Sequence, residues 1–203
     1  MTDPAYRLFF AIELPADVRH QIRKHIDRLR AAMPEVRASW TREENLHLTL
    51  KFLGDTPVEK VEALSQALKN ATTGIAPFEM TIADCGAFPL RGKPNVLWIG
   101  LSVPPAVPGG LPAQLHASPI QTLFQSLEDE CAGAGVARET RSFHPHLTIA
   151  RLRHTRDARP LAQLHKEIGF VPLSVKVEDA CLIRSELSSK GSRYTIIARH
   201  KIQ

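Results

Sequence analysis

Two short segments constrain the fold more than anything else in this 203-residue chain. One is NLHLTLKFLG, residues 45–54, and the other is FHPHLTIARL, residues 143–152. Each places a histidine and a threonine two residues apart, with leucine between them, inside an apolar run. Successive residues of a β-strand point to opposite faces. A strand over the first segment would send Leu46, Leu48, Leu50 and Phe52 to one side, and His47, Thr49 and Lys51 to the other. In the second, Leu147 and Ile149 would enter a core, while His144, His146 and Thr148 share the opposite face. Each strand would then present an imidazole and a hydroxyl about 7 Å apart.

The rest of the chain supplies elements in a repeating order. Residues 7–14 read as a buried strand, and Pro15 opens a helix with Val18, Ile22, Ile26, Leu29 and Met33 at helical spacing. The segment 34–40 breaks that helix, and residues 46–53 form the next strand. Thr56-Pro57-Val58-Glu59 has the form of a capping box with proline at the first helical position. The helix it opens carries Val58, Val61, Leu64 and Leu68 on one face. Strands follow at 78–85 and 95–103. Residues 104–119 are rich in proline and glycine and read as an irregular loop, either a surface insertion without function or a flap over the site. Ser118-Pro119-Ile120-Gln121 is a second capping box, opening a helix that turns Ile120, Leu123, Phe124, Leu127 and Cys131 inward. A strand at 143–152, a short helix near 160–167 and strands at 171–183 and 193–200 complete the order. Strand, helix, strand, helix, strand thus occurs in both halves, each half contributing one His-x-Thr strand. Two related lobes facing one another would bring both strands to a shared groove.

Composition excludes several classes. Cys85, Cys131 and Cys181 are few, odd in number and far apart, so neither a disulfide framework nor a zinc knuckle is expected, and free thiols suit a reducing cytoplasm. The first ten residues lack the basic and long apolar regions of a signal peptide, and no apolar run approaches bilayer length. The net charge of +5 suits an anionic partner.

Two histidines and two threonines around one groove suit in-line cleavage of a phosphodiester. A neutral imidazole can deprotonate water, and a protonated one can protonate the leaving oxygen. Hydroxyls aimed at nonbridging oxygens stabilise the charge that develops there. The pattern does not say which histidine plays which part. A zinc site from His47, His144 and His146 is the rival, disfavoured because no carboxylate shares their strand faces and threonine is a poor zinc ligand.

NLHLTLKFLGD and HPHLTIARL resemble the paired motifs of the two-histidine (2H) phosphoesterases, and most of all those of the bacterial and archaeal RNA 2′,3′-cyclic phosphodiesterases, formerly called 2′-5′ RNA ligases. RLFFAIELP at the start, Trp40 before the first motif, FPLRGKPNVLWIGL (88–101) and LIRSELSSKGSRYTIIAR (182–199) extend the resemblance over nearly the whole chain. The resemblance implies an α+β, bilobal, pseudo-two-fold fold, with two antiparallel sheets around a central groove and helices packed outside. Residues 1–203 would form a single two-lobed phosphoesterase domain. It implies metal-independent, cofactor-free opening of RNA 2′,3′-cyclic phosphate ends to 2′-phosphates by a cytoplasmic monomer with no membrane partner. It makes His47 the proton donor and His146 the proton acceptor, with Thr49 and Thr148 holding the phosphate.

Arg151 is a substrate-binding candidate on the same resemblance. Strict alternation puts it on the face opposite His146, so it reaches the phosphate only if the strand ends or bulges first. Phe9 is a candidate for stacking a nucleobase or for the core. His144 reads as a neighbour supporting the site or as a bystander. His20, His25, His116, His154, His165 and His200 show no partner pattern. The basic run 151–159 could steer RNA or simply be solvated. Alternatives keep the site and change the substrate to a 2′-5′ linked or small cyclic nucleotide, run RNA-end joining in reverse, or leave an RNA-binding module without turnover.

Overall fold

The computed structural model describes residues 4–103, 118–153, 156–189 and 191–203. The proline-rich segment 104–117, together with His116 and His154, lies outside the described residues. Nine strands and four α-helices are present among the described residues: β1 (Ala5–Glu13), α1 (Ala16–Ala32), β2 (Ala38–Trp40), β3 (His47–Pro57), α2 (Val61–Thr72), β4 (Phe78–Phe88), β5 (Val96–Ser102), α3 (Pro119–Gly133), β6 (His146–Leu152), α4 (Ala158–Ile168), β7 (Leu173–Val177), β8 (Asp179–Ser188) and β9 (Gly191–Lys201). They form a four-stranded sheet in the order β3-β1-β8-β9 and a five-stranded sheet in the order β2-β6-β5-β4-β7. Every strand pairing is antiparallel.

The expected α+β architecture with two antiparallel sheets is therefore present. The chain does not build it half by half. The first sheet joins N-terminal β1 and β3 to C-terminal β8 and β9, while β2 crosses to the second sheet and pairs with β6. The three-residue β2 sits where only a helix break was expected. The apolar stretch 171–183 is also two strands rather than one. Val175 and Val177 alternate inward in β7, an edge strand buried on one face. After Glu178, Ala180–Ile183 are buried without interruption in β8, an interior strand covered on both sides.

The helices cover the outer faces. Val18, Ile22, Ile26 and Leu29 of α1 are buried at the expected spacing, while Met33 is already the C-cap. Helix α2 packs against α3, β8 and β9, and α4 packs against β4. The second capping box forms, with the Gln121 Oε1 accepting from the Ser118 N–H at 3.4 Å. The first does not. Thr56 remains in β3 and donates to the Gly54 carbonyl, and a single 3-10 turn over Val58–Lys60 precedes α2. No helix among the described residues is long and apolar enough to cross a membrane.

Of the departures from simple alternation, three decide which side chains reach the groove. In β3, Ala11 pairs with Thr49 but Phe10 pairs with Lys51, leaving Leu50 as an extra residue. In β6, Trp98 pairs with Thr148 but Leu97 pairs with Ala150, leaving Ile149 extra. In β4, Asp84 is the extra residue, at φ 64°. Each β-bulge reverses the facing of every residue after it.

Candidate active site

Strand β3 is the edge of the first sheet, and it contacts β6 of the second. The two His-x-Thr segments therefore come together, as expected. Leu46, Leu48, Leu50, Leu147 and Ile149 are buried in the core, while His47, Thr49, His146 and Thr148 are half-buried on the other face.

The two imidazoles are held by the same device. His47 Nδ1 lies 2.8 Å from the carbonyl of Asn45, and His146 Nδ1 lies 2.7 Å from the carbonyl of His144. A carbonyl only accepts, so each Nδ1 carries the proton and donates it. Each Nε2 becomes the working nitrogen, with a lone pair when the ring is neutral. Thr49 Oγ1 sits 3.0 Å from His47 Nε2, where its hydroxyl donates to the neutral ring. His144 thus supports the site through its backbone carbonyl rather than its ring.

Aromatic rings wall both imidazoles. Phe9 lies 4.8 Å from His47 between ring centroids, and Tyr194 meets the same ring edge-on at 5.3 Å. Phe88 meets His146 edge-on at 5.2 Å. The Trp98 indole lies over Gly86, where an added Cβ would come 2.1 Å from the ring, so glycine is required for that close approach. The bulge at Asp84 is what turns Gly86 and Phe88 to this face and Cys85 away from it.

Burial lowers the pKa of both histidines below the ordinary value. For His47 the bond to the Asn45 carbonyl and the charge of Glu13, its cross-strand partner, oppose the shift. For His146 the bond to the His144 carbonyl opposes it, and the nearby charges of Arg151 and His144 push it further down.

Arg151 is placed by the Ile149 bulge. It pairs across the ladder with Val96, two residues before Trp98, so it shares the face of Thr148 and His146. The condition set by alternation is met, and the arginine is exposed on the groove side. The equivalent bulge at Leu50 corrects two expectations. Lys51 does not join His47 in the groove. It turns inward, where Nζ donates to Glu128 Oε1 at 2.6 Å and to the Ala137 carbonyl at 2.9 Å. Phe52 does not join the leucines. It pairs with Phe9 on the groove face and is 65% exposed. Arg151 and Phe52 each stand five residues after a motif histidine and are equivalent in the two strands. Phe9, at 3% exposure, packs with Ala11, Cys181 and Ile183 beneath His47. It backs the imidazole, and the exposed aromatic is Phe52.

One short connection, Thr41–Leu46, ties both motifs together. Thr41 N–H donates to the carbonyl of the bulged Ile149 at 2.9 Å, and its hydroxyl donates to the Thr148 carbonyl at 2.8 Å. The Asn45 carbonyl holds His47, and its side chain donates to the Ser192 carbonyl on β9 at 3.0 Å. Neither residue has a sequence signature beyond its place before the first motif.

The candidate zinc set His47, His144 and His146 does not stand out as a cluster. The group with metal-ligand spacing among the described residues is His25, Cys85 and His165, whose ligand atoms lie within 4.8 Å of one another. His165 Nε2–H donates to the Trp98 carbonyl at 2.9 Å, so its Nδ1 accepts from His25 Nε2–H at 2.9 Å. The two imidazoles satisfy each other as neutral rings, and burial pushes His25 down to about 4. Burial also pushes the Cys85 thiol up to about 12.

A family model described as LigT like Phosphoesterase matches residues 12–98 and 111–194. The chain belongs to the LigT-like phosphoesterase family. Among its curated relatives is an RNA 2′,3′-cyclic phosphodiesterase of Escherichia coli K12, 38% identical over 199 residues, covering 98% of this chain and 97% of that protein. An RNA 2′,3′-cyclic phosphodiesterase of Methanothermobacter thermautotrophicus is 32% identical over 190 residues, covering 93% and 95%. Among solved structures, Escherichia coli LigT complexed with 3′-AMP superimposes with a TM-score of 0.69 at 28% identity, covering 98% of this chain and 99% of that one. A LigT-like phosphoesterase fold therefore carries the paired motifs described above.

Proposed function

We propose that this LigT-like phosphoesterase hydrolyses 2′,3′-cyclic phosphate ends of RNA to 2′-phosphates, with residues 1–203 acting as one two-lobed unit. The observation that carries the reading is the pair of Nδ1-anchored imidazoles on contacting strands, one from each sheet. The curated relatives' shared name supports the substrate class.

His146 Nε2 takes a proton from water, whose oxygen attacks phosphorus. The P–O3′ bond breaks in line, and His47 Nε2–H delivers a proton to the departing O3′. The product keeps phosphate on O2′. Thr49 and Thr148 hydroxyls donate to the nonbridging oxygens, where charge accumulates. Arg151 supplies a fixed positive charge on the same face. Phe52 offers an exposed ring for stacking the terminal base. The proton transfers are complete with side chains alone, so the chemistry proceeds without metal or cofactor.

The direct test uses an oligoribonucleotide ending in a 2′,3′-cyclic phosphate, incubated with EDTA. A 2′-phosphate product is expected. No turnover would overturn the reading, and a 3′-phosphate would reverse the cleavage direction. Loss of turnover with EDTA would restore a metal mechanism.

The pH dependence has a definite sign. The productive free enzyme holds one imidazole neutral and one protonated, and that fraction peaks midway between their pKa values. Burial lowers both. The kcat/KM optimum is therefore expected on the acid side of the ordinary histidine value of about 6.5. A profile with a nucleoside 2′,3′-cyclic phosphate checks this, and an optimum above neutrality would contradict it.

A further inference from the structure

A basin of about 850 Å³ opens beside the groove, between the end of α1 and the edge strand β2. It is lined by Arg30, Arg37, Arg153, Trp40 and Ser39, with Asp27 as its one carboxylate. Asp27 is already engaged by Arg23 at 2.9 Å and lies 3.8 Å from Arg30, so the basin's balance is strongly positive. The basin adjoins the groove at the β2 edge, through Ser39. Ser39 pairs across the ladder with Arg151, which shares the groove face of His146 and Thr148, and Arg153 follows the end of β6. From His146 to Arg153 the strand covers about 20 Å. A mononucleotide at the histidines would not reach that far.

We propose that this basin binds the RNA strand upstream of the reacting end, taking its backbone phosphates on Arg153, Arg37 and Arg30. The inference rests on the cyclic phosphodiesterase reading and adds a substrate class to it, single-stranded oligonucleotides in preference to mononucleotides. A cyclic phosphate lies at the 3′ end of its strand, so the remaining chain leaves the site in one direction only. Arg151 and the basin arginines at the β2 edge supply fixed cations along one way out of the site. Trp40 lines the basin and pairs with Ala150, so its half-buried ring lies on the face opposite Arg151, where a strand rounding the β2 edge would meet it. Guanidiniums following a backbone beside an aromatic is the usual chemistry of sequence-tolerant single-strand binding.

The test compares the wild type with an Arg37→Gln, Arg153→Gln double variant on two substrates. One is an octaribonucleotide ending in a 2′,3′-cyclic phosphate, and the other is a nucleoside 2′,3′-cyclic monophosphate. The variant is expected to raise KM for the octamer roughly tenfold. Its log KM against log salt should flatten by about 1.4, from about 0.7 per single-strand phosphate. Turnover of the monomer should be unchanged. An unchanged octamer KM, or equal losses on both substrates, overturns the proposal. If the wild type turns over neither substrate, the phosphodiesterase reading fails by itself. Fluorescence anisotropy with a 3′-phosphorylated octamer then decides the basin. Weaker, less salt-dependent binding by the variant supports it, and equal binding by both proteins overturns it.

Discussion

His47→Ala and His146→Ala are each expected to lower turnover of a 2′,3′-cyclic phosphate end by about 10²–10⁴-fold, the usual worth of one general acid or base. Binding of a 3′-phosphorylated oligonucleotide should survive in both, because Thr49, Thr148, Arg151 and Phe52 remain. The double variant should lose little beyond the worse single variant, since residues acting in one proton circuit are not additive. The two rings differ in neighbours. His47 stands across the ladder from Glu13, and His146 stands near Arg151. Negative charge favours the protonated ring and positive charge the neutral one. The field around each histidine thus agrees with His47 as donor and His146 as acceptor. A substrate with a better leaving group than O3′ discriminates the roles. It should rescue the variant lacking the donor, His47→Ala, and leave His146→Ala slow. Rescue of His146→Ala instead would exchange the roles, and near-normal rates in either variant would end the two-histidine mechanism.

Glu128→Gln is expected to destabilise the protein by about 3–5 kcal/mol, because it strands the Lys51 ammonium in the core. Lys51 and Glu128 are both almost completely buried, and their contact at 2.6 Å joins β3 to α3. Glu128 also accepts the Glu139 backbone N–H through Oε2 at 2.8 Å, and Lys51 donates to the Ala137 carbonyl. Each partner also serves one backbone group, so removing the Glu128 carboxylate leaves the Lys51 charge uncompensated and weakens the bond to the Glu139 N–H. For a chain of this size the Tm should fall by roughly 10 °C or more. A Lys51→Met, Glu128→Leu double variant should recover much of the loss, since no buried charge remains. Thermal and urea unfolding measure both. Equal destabilisation in the single and double variants would mean that the pair matters for its packing alone. The site depends on this anchor, because Lys51 can turn inward only through the Leu50 bulge, and the same bulge turns Phe52 outward.

Much of the molecule was legible from local pattern. Helix α1 followed its apolar spacing, and Ser118 capped α3 as its residues require. The His-x-Thr segments formed strands with leucines in the core because side-chain alternation and burial agree there. Misread elements share a cause. Thr56 had the right residues for a cap but stayed in β3, whose pairing with β1 continues to Pro57. Residues 171–183 divided at Glu178 because two different sheets claim the two parts. Lys51 and Phe52 exchanged places. Arg151 reached the groove after a bulge that alternation could only name as a condition.

The sequence by itself determined that two similar strands would each carry an imidazole and a hydroxyl on one face, since that follows from a period of two and a buried leucine row. It also determined the helices that cover the sheets. Only the tertiary structure decided which further residues share that face. A bulge is defined by what the neighbouring strand pairs with, and that partner, β1 for β3 and β5 for β6, is distant in sequence. Thr41 fastens the bulged Ile149 from a segment of the opposite half of the chain, and Glu128 fastens Lys51 from α3. The extra residue after each motif, Leu50 or Ile149, then reverses the side chains that follow it, bringing Arg151 and Phe52 to the groove and Lys51 to the core.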